Sequence, residues 1–227
     1  MVIGPECHLE PYVYVKRWTT IGARNRISAG TVLGSDPLDK HFPGERSYLK
    51  IGHDNVIREH YTISRGTAPE SATVIGDGNY IMTGGHIAHN CRIGDRTVIA
   101  SCSLIAGYVE VESDAFISGG VGVHQFSKIG CLAMIGGNAS VNLDAPPYFL
   151  YEGGGYLLPR GLNLIGLKRA GFTANEIAAL KTAYRILYRS GRKLAEALTR
   201  IETEVPTAHT RHLVSFIRNS HRGIARA

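Results

Sequence analysis

The chain has 227 residues, a formal net charge of +6, 27 glycines and four cysteines. That length allows one or two domains with a sizeable core, and with neither an unbroken apolar run long enough to span a bilayer nor signal-peptide architecture over residues 1–10, a cytoplasmic protein without a membrane span is expected. Cys7, Cys91, Cys102 and Cys131 show neither CxxC spacing nor a dense framework and read as small fillers of a reduced protein; the positive charge comes with no nucleic-acid motif and suits an acidic partner.

Along the chain, apolar residues recur six apart from the start: Ile3, Leu9, Val15, Ile21, Ile27 and Leu33. The first coil of such a repeat must be covered by something else or stand as an exposed edge. A loop excursion over residues 34–50, rich in proline, glycine and charge, breaks the run, and the hexads resume at Ile51, Ile57 and Ile63. After a second excursion over residues 64–74 they continue without a miss through Ile75, Ile81, Ile87, Ile93, Ile99, Ile105, Val111, Ile117, Val123, Ile129, Ile135 and Val141. A helix of period 3.6 cannot keep a six-residue repeat on one face, and a strand of period 2 does so only if it never bends, so the chain must turn at regular intervals. The pattern predicts a mostly β fold: a parallel β-helix over residues 1–147, one short strand and one corner per hexad, three hexads per triangular coil. Successive coils stack about 4.8 Å apart, with the aliphatic anchors inward and polar residues outward.

Pro146 and Pro147, which cannot donate ladder hydrogen bonds, are expected to end the prism. Residues 148–227 then form a C-terminal α-helical domain. Helices are expected over residues 162–169, from the capping box Thr173-Ala-Asn-Glu176, over residues 192–202 and over residues 207–220.

Candidate chemistry lies on the outer edges of the prism. His86 and His89 flank the anchor Ile87; His124 and Gln125 follow the anchor Val123, two coils further on. Eighteen residues per coil put His89 and His124 on one edge. Three histidines are enough in number to bind zinc, but their spacing shows no convergence, so no metal is expected.

Together with this edge, Leu-Ile-Ala-Gly (104–107), Val-His-Gln-Phe (123–126), Pro-Pro-Tyr (146–148), Gly-Leu-Asn (161–163), Gly-Leu-Lys-Arg (166–169) and the helix from Ala183 to Gly191 resemble the UDP-N-acetylglucosamine 3-O-acyltransferase family of lipid A synthesis. The resemblance implies a left-handed prism, a homotrimer with sites in the clefts between subunits, and transfer of a 3-hydroxyacyl chain from acyl carrier protein to a nucleotide sugar without a cofactor. It implies His89 as general base and the Gly107 N–H as oxyanion donor. It also implies Asp39, His41, His86, His124 and Gln125 as substrate contacts, Asn163 and Arg169 as nucleotide contacts from a neighbouring subunit, and Ile135 and Gly137 along the acyl groove. The chain departs from the family pattern at Tyr108 (usually His), Lys40-His41 (usually Leu-Lys), Asn90 (often Asp), Ile165 (Glu) and Ala170 (Arg). Those departures cluster where the acceptor is chosen, so a 3-amino or other nucleotide sugar, or a non-catalytic role, stays open at this point.

Overall fold

The computed structural model describes residues 1–225; Arg226 and Ala227, which close the expected helical segment, lie outside the described residues. Each hexad supplies a short strand ending on its anchor, as in His86–Ile87, Arg92–Ile93 and Val98–Ile99. Three residues past the anchor the backbone turns through the left-handed region: Asn90, Arg96, Cys102 and Tyr108 have φ between 52° and 61°. Such corners are unfavourable for L-residues taken singly, and the inter-coil ladder offsets that cost. Every third anchor returns to the same sheet. Ile87 pairs with Ile105, and Ile105 with Val123.

Among the described residues three sheets of seven, nine and seven strands result, every strand pairing parallel except that of Phe149–Tyr151 with Pro159–Leu162. The anchors Ile81, Ile87, Ile99, Ile105, Ile117, Ile129, Ile135 and Val141 are all 0% exposed. This corrects one expectation. Ile135 points into the prism, as the six-residue period requires, and cannot line an outer groove; its neighbour Met134 has the outward place. In the first coil Ile3 is 41% exposed.

The interior is not purely aliphatic, contrary to the expectation that polar residues face outward. Asn25, Asn55 and Asn79 are buried one above another. Asn25 Oδ1 accepts the Asn55 N–H at 2.9 Å, Asn55 Oδ1 the Asn79 N–H at 2.9 Å, and Asn79 Oδ1 the Thr97 N–H at 2.8 Å. These amides satisfy corner N–H groups that the strand ladder misses.

Both excursions are shorter than expected, because strands reach Ser35 and restart at Tyr48, then reach Ser64 and restart at Ala72. Nor does the diproline end the ladder. Ala145 bridges to Ile129, Phe149–Tyr151 pairs with Met134–Ile135, and Tyr156 bridges to Ser140, so strand pairing continues on all three sheets. The prolines survive there because they sit at a corner, stacked on Gly130, where a Cβ would lie 2.4 Å from the Pro147 nitrogen.

Among the described residues four helices follow: α1 (Leu164–Arg169), α2 (Ala174–Arg189), α3 (Leu194–Glu204) and α4 (Ala208–Arg218). Thr173 and Glu176 form the expected capping box of α2, and Ile177, Leu180, Ala183 and Leu187 are its buried face. The segment after α4 returns to the prism: Ser220 Oγ donates to Asp144 Oδ2 at 2.6 Å and Arg222 donates twice to the Asn142 carbonyl. From α4 itself, His212 Nε2 lies 2.8 Å from Glu112 Oε2 on a prism rung.

Two predictions follow from this packing. Ile99→Ala leaves a void in a column with no slack to collapse, so unfolding in urea should show a loss of about 2–5 kcal/mol; an unchanged midpoint would contradict the stacked core. Hydrogen bonds to the Cys131 thiol and the Glu112 carboxylate outweigh burial and raise His212 to about 10, above its ordinary 6.5. A folded value above the unfolded one means this contribution is complete below the unfolded value and is lost as pH rises through the folded one. The melting-temperature deficit of His212→Gln against the parent should therefore be largest near about pH 6 and shrink towards about pH 10, and a deficit independent of pH would refute the linkage.

Candidate active site

The third sheet carries the strands that hold Ile63, Ile87, Ile105, Val123 and Val141, and its outward positions include Thr62, His86, Leu104 and Gly122. Together with Leu38, Ala106, His124 and Ser140 they line a groove of about 610 Å³. His86 Nδ1 sits 2.8 Å from Thr62 Oγ1, while its Nε2 is buried with no protein partner. Burial, the largest cause, holds the His86 imidazole below its ordinary value, so it is neutral at pH 7.

His89 stands at the corner that ends this rung, half-buried and directed out of the prism. Coil stacking fixes what lies above it. The Tyr108 N–H donates to the His89 carbonyl at 3.0 Å, and the Phe126 N–H donates to the Gly107 carbonyl at 3.1 Å. Gly107 therefore lies directly over the imidazole: a Cβ there would come 2.5 Å from His89 Cε1 and 2.7 Å from Nε2. The N–H of Gly107 donates to no acceptor among the described residues. A ring nitrogen and an unpaired peptide N–H thus share one edge, on adjacent levels.

The orientation of the ring is set from below. His89 Nδ1 is 3.2 Å from Asn90 Oδ1. That oxygen also accepts from the Thr67 N–H at 2.9 Å and the Thr67 hydroxyl at 2.8 Å, while Asn90 Nδ2 donates to Ser71 Oγ at 3.0 Å. These bonds decide which end of the amide is oxygen, so Nδ1 of His89 carries the proton and Nε2 keeps its lone pair. Tyr108 adds an edge-on contact to the His89 ring at 5.3 Å, stacks on Phe126 at 5.1 Å and places its hydroxyl 3.0 Å from Thr67 Oγ1.

A second patch lies on another face. Asn163, Ile165, Arg169 and Ala170 join Arg96, Phe116 and Met134 around a cavity of about 450 Å³. Phe116 and Met134 belong to the second sheet, so one chain does not bring Asn163 and Arg169 together with His89.

Family models match at two places: "Udp N-acetylglucosamine O-acyltransferase; Domain 2" over residues 144–225 and "Bacterial transferase hexapeptide (six repeats)" over residues 72–107. The chain is 45% identical over 208 residues to the acyl-[acyl-carrier-protein]–UDP-N-acetylglucosamine O-acyltransferase of Gloeothece citriformis, covering 92% of this chain and 75% of that one. To the enzyme of that name from Syntrophobacter fumaroxidans it is 43% identical over 226 residues, covering 99% and 88%. The chain belongs to the UDP-N-acetylglucosamine O-acyltransferase family. Among solved structures, the UDP-N-acetylglucosamine acyltransferase of Francisella novicida superposes with a TM-score of 0.95 at 36% identity, covering 100% of this chain and 83% of that one. That of Bacteroides fragilis gives 0.93 at 36% identity, covering 99% and 95%. The prism is the left-handed β-helix of this acyltransferase family.

The remaining expected residues divide by location. Gln125 is half-buried one level above Gly107; His124 is exposed, its Nδ1 on the Gln125 carbonyl at 3.1 Å. Asp39 and His41 are exposed in the first excursion, where Asp39 Oδ1 accepts the His41 N–H at 2.9 Å. Gly137 lies at the other edge of the third sheet, in the corner before Val141, where a Cβ would meet nothing closer than the Gly119 carbonyl at 3.4 Å. Arg169 is exposed. Asn163 is engaged structurally: its Oδ1 caps α1 through the Gly166 N–H at 3.0 Å and its Nδ2 donates to the Leu132 carbonyl at 2.9 Å. Sequence reading missed Thr67, which fixes the Asn90 amide; its place in the second excursion, beside the level of His89, was the only signal.

His86, His89 and His124 do not converge on a metal position. Glu112, Cys131 and His212 do bring donor atoms within 4.8 Å of one another, but Glu112 Oε2 there already accepts from His212 and, at 2.7 Å, from the Cys131 N–H.

The Gly107 backbone lies outside the left-handed region, so alanine is excluded only by the imidazole beneath it. Gly107→Ala should leave the fold intact and displace the His89 ring, visible as shifted His89 side-chain resonances; unmoved resonances would contradict the packing of ring on glycine.

Proposed function

We propose that this chain transfers a 3-hydroxyacyl group from acyl carrier protein to the 3-hydroxyl of UDP-N-acetylglucosamine, the first step of lipid A synthesis. The observation that carries this reading is the imidazole of His89 lying against Gly107, whose N–H is unpaired. His89 Nε2 takes the proton of the sugar hydroxyl as its oxygen attacks the thioester carbonyl carbon. The carbonyl π pair moves to oxygen, where the Gly107 N–H donates to the developing charge. The C–S bond then breaks, and the imidazolium returns its proton to the departing thiolate. The amide oxygen of Asn90 fills the place of the carboxylate common in the family: it holds Nδ1–H without adding a negative charge beside the ring.

His86, neutral, beside the groove and with a ring nitrogen that no protein group satisfies, suits a hydrogen bond to substrate, as do His124 and Gln125 above it. Asp39 and His41 reach the acceptor from the loop. Arg169 and the α1 end of the second patch suit the nucleotide of a site shared with a neighbour, because one chain presents them on a different face from His89; a homotrimer joins the two faces. Gly137 and outward-facing Met134, in place of Ile135, line the path of the acyl chain. Acyl carrier protein, an acidic partner, suits the net charge of +6. No helix of the described residues is long and apolar enough to cross a membrane, which accords with work in the cytoplasm on soluble substrates. The thioester is a co-substrate, and the reaction calls for no cofactor.

His89→Ala should lower kcat by about 10²–10⁴-fold with the fold retained, measured by mass spectrometry of the acylated sugar nucleotide. Near-parental turnover would remove His89 as the base.

A further inference from the structure

The first excursion, residues 36–47, is exposed almost throughout, yet its beginning, middle and end converge on one buried cation. Arg65, from the rung that follows, is 1% exposed. Its Nε and one terminal nitrogen donate to Asp36 Oδ1 at 3.1 and 2.9 Å. The other terminal nitrogen donates to the Glu45 carbonyl at 2.6 Å and to Ser47 Oγ at 2.7 Å. Arg65 Cζ lies over the Phe42 ring, 4.8 Å from its centroid, in the middle of the loop, and over the Trp18 ring of the prism, 4.7 Å from its centroid. Burying a cation is costly unless its donors are met, and here four hydrogen bonds and two aromatic rings meet them. Every loop partner of Arg65 lies outside residues 38–41. Those four residues are left as the exposed tip, whose hydrogen bonds among the described residues are Asp39 Oδ1 to the His41 N–H and the Phe42 N–H to the Asp39 carbonyl, both at 2.9 Å.

We infer that Arg65 is the positioning residue of the acceptor site: it fixes the 36–47 loop before substrate arrives, so that Asp39 and His41 meet the nucleotide sugar without an ordering cost at the moment of binding. The inference rests on the reading that this loop contacts the acceptor. Lysine cannot replace arginine here. An ammonium lacks the planar fork that reaches Asp36 on one side and Glu45 and Ser47 on the other, and lacks the flat face that lies against Phe42. On the proposed path along Gly137 and Met134 the acyl chain runs away from Asp39 and His41, so the clamp acts on one substrate of the two.

Steady-state kinetics with each substrate varied in turn test this. Arg65→Met should raise KM for UDP-N-acetylglucosamine by about tenfold or more while KM for the acyl carrier protein and kcat at saturating sugar stay within about twofold, and Arg65→Lys should not restore the sugar KM. Asp36→Asn, at an exposed position that leaves the core untouched, loosens the same clamp from the loop side and should move the sugar KM in the same direction even if Arg65→Met fails to fold. Hydrogen exchange of the amides of residues 38–45 should quicken in both variants. A role confined to stability would lower the melting temperature without separating the two KM values, and that result would overturn the inference. Asp39→Asn separates the two levels. If it raises the sugar KM and neither clamp variant does, the clamp is wrong; if it leaves the sugar KM unchanged, the loop reading itself fails.

Discussion

One constraint governs this molecule: residues eighteen apart in sequence must lie one strand spacing apart in space. It holds because aliphatic anchors stack inside the prism while the backbone ladder pairs outside them, and a slip of one residue would turn every anchor outward. Each burial of an isoleucine contributes about 1.5–3 kcal/mol, repeated down the column, so register is specified many times over. The site inherits that precision. His89 and Gly107 meet because Ile87 is stacked on Ile105, and the approach is close enough that residue 107 has no room for a side chain.

Interruptions are tolerated only where they preserve this register. Ile21 pairs with Ile51 and Ile51 with Ile75 across the two excursions, so each loop leaves and re-enters without disturbing the stack. Both loops then serve the outer edge. The first presents Asp39 and His41, held at its base by Arg65; the second supplies Thr67, whose N–H and hydroxyl fix the Asn90 amide beneath His89. Arg65 and Thr67 are close in sequence, which ties the 36–47 loop and the orientation of the His89 ring to the same short stretch of chain. Electrostatically the edge is spare: His86 is kept neutral by burial, and Asn90 holds the ring without a charge.

The fold was legible because a six-residue period forces the chain to turn at every hexad, and the stacking of Gly107 on His89 followed from arithmetic on that period. Other features run against the period or lie outside it. The family resemblance implies Ile135 as an acyl contact, but its own anchor position in the period buries it. Asn25, Asn55 and Asn79 form an inward ladder that aliphatic counting overlooks, though each stands two residues before an anchor. Proline's missing donor predicts a terminator at the diproline, yet a corner needs none. Arg65 looked like part of a loop and is buried, because its partners lie eighteen to twenty-nine residues away in a segment whose course no local pattern specifies.

The central claim is that catalysis depends on His89 and the Gly107 N–H occupying adjacent coil levels. Inserting one complete eighteen-residue coil at the exposed turn at Asp95 and Arg96, between those two levels, tests it most directly. The account predicts a longer, folded prism by circular dichroism and sedimentation, with acyl transfer to the sugar nucleotide at background. Transfer near the parental rate by that lengthened protein would contradict it.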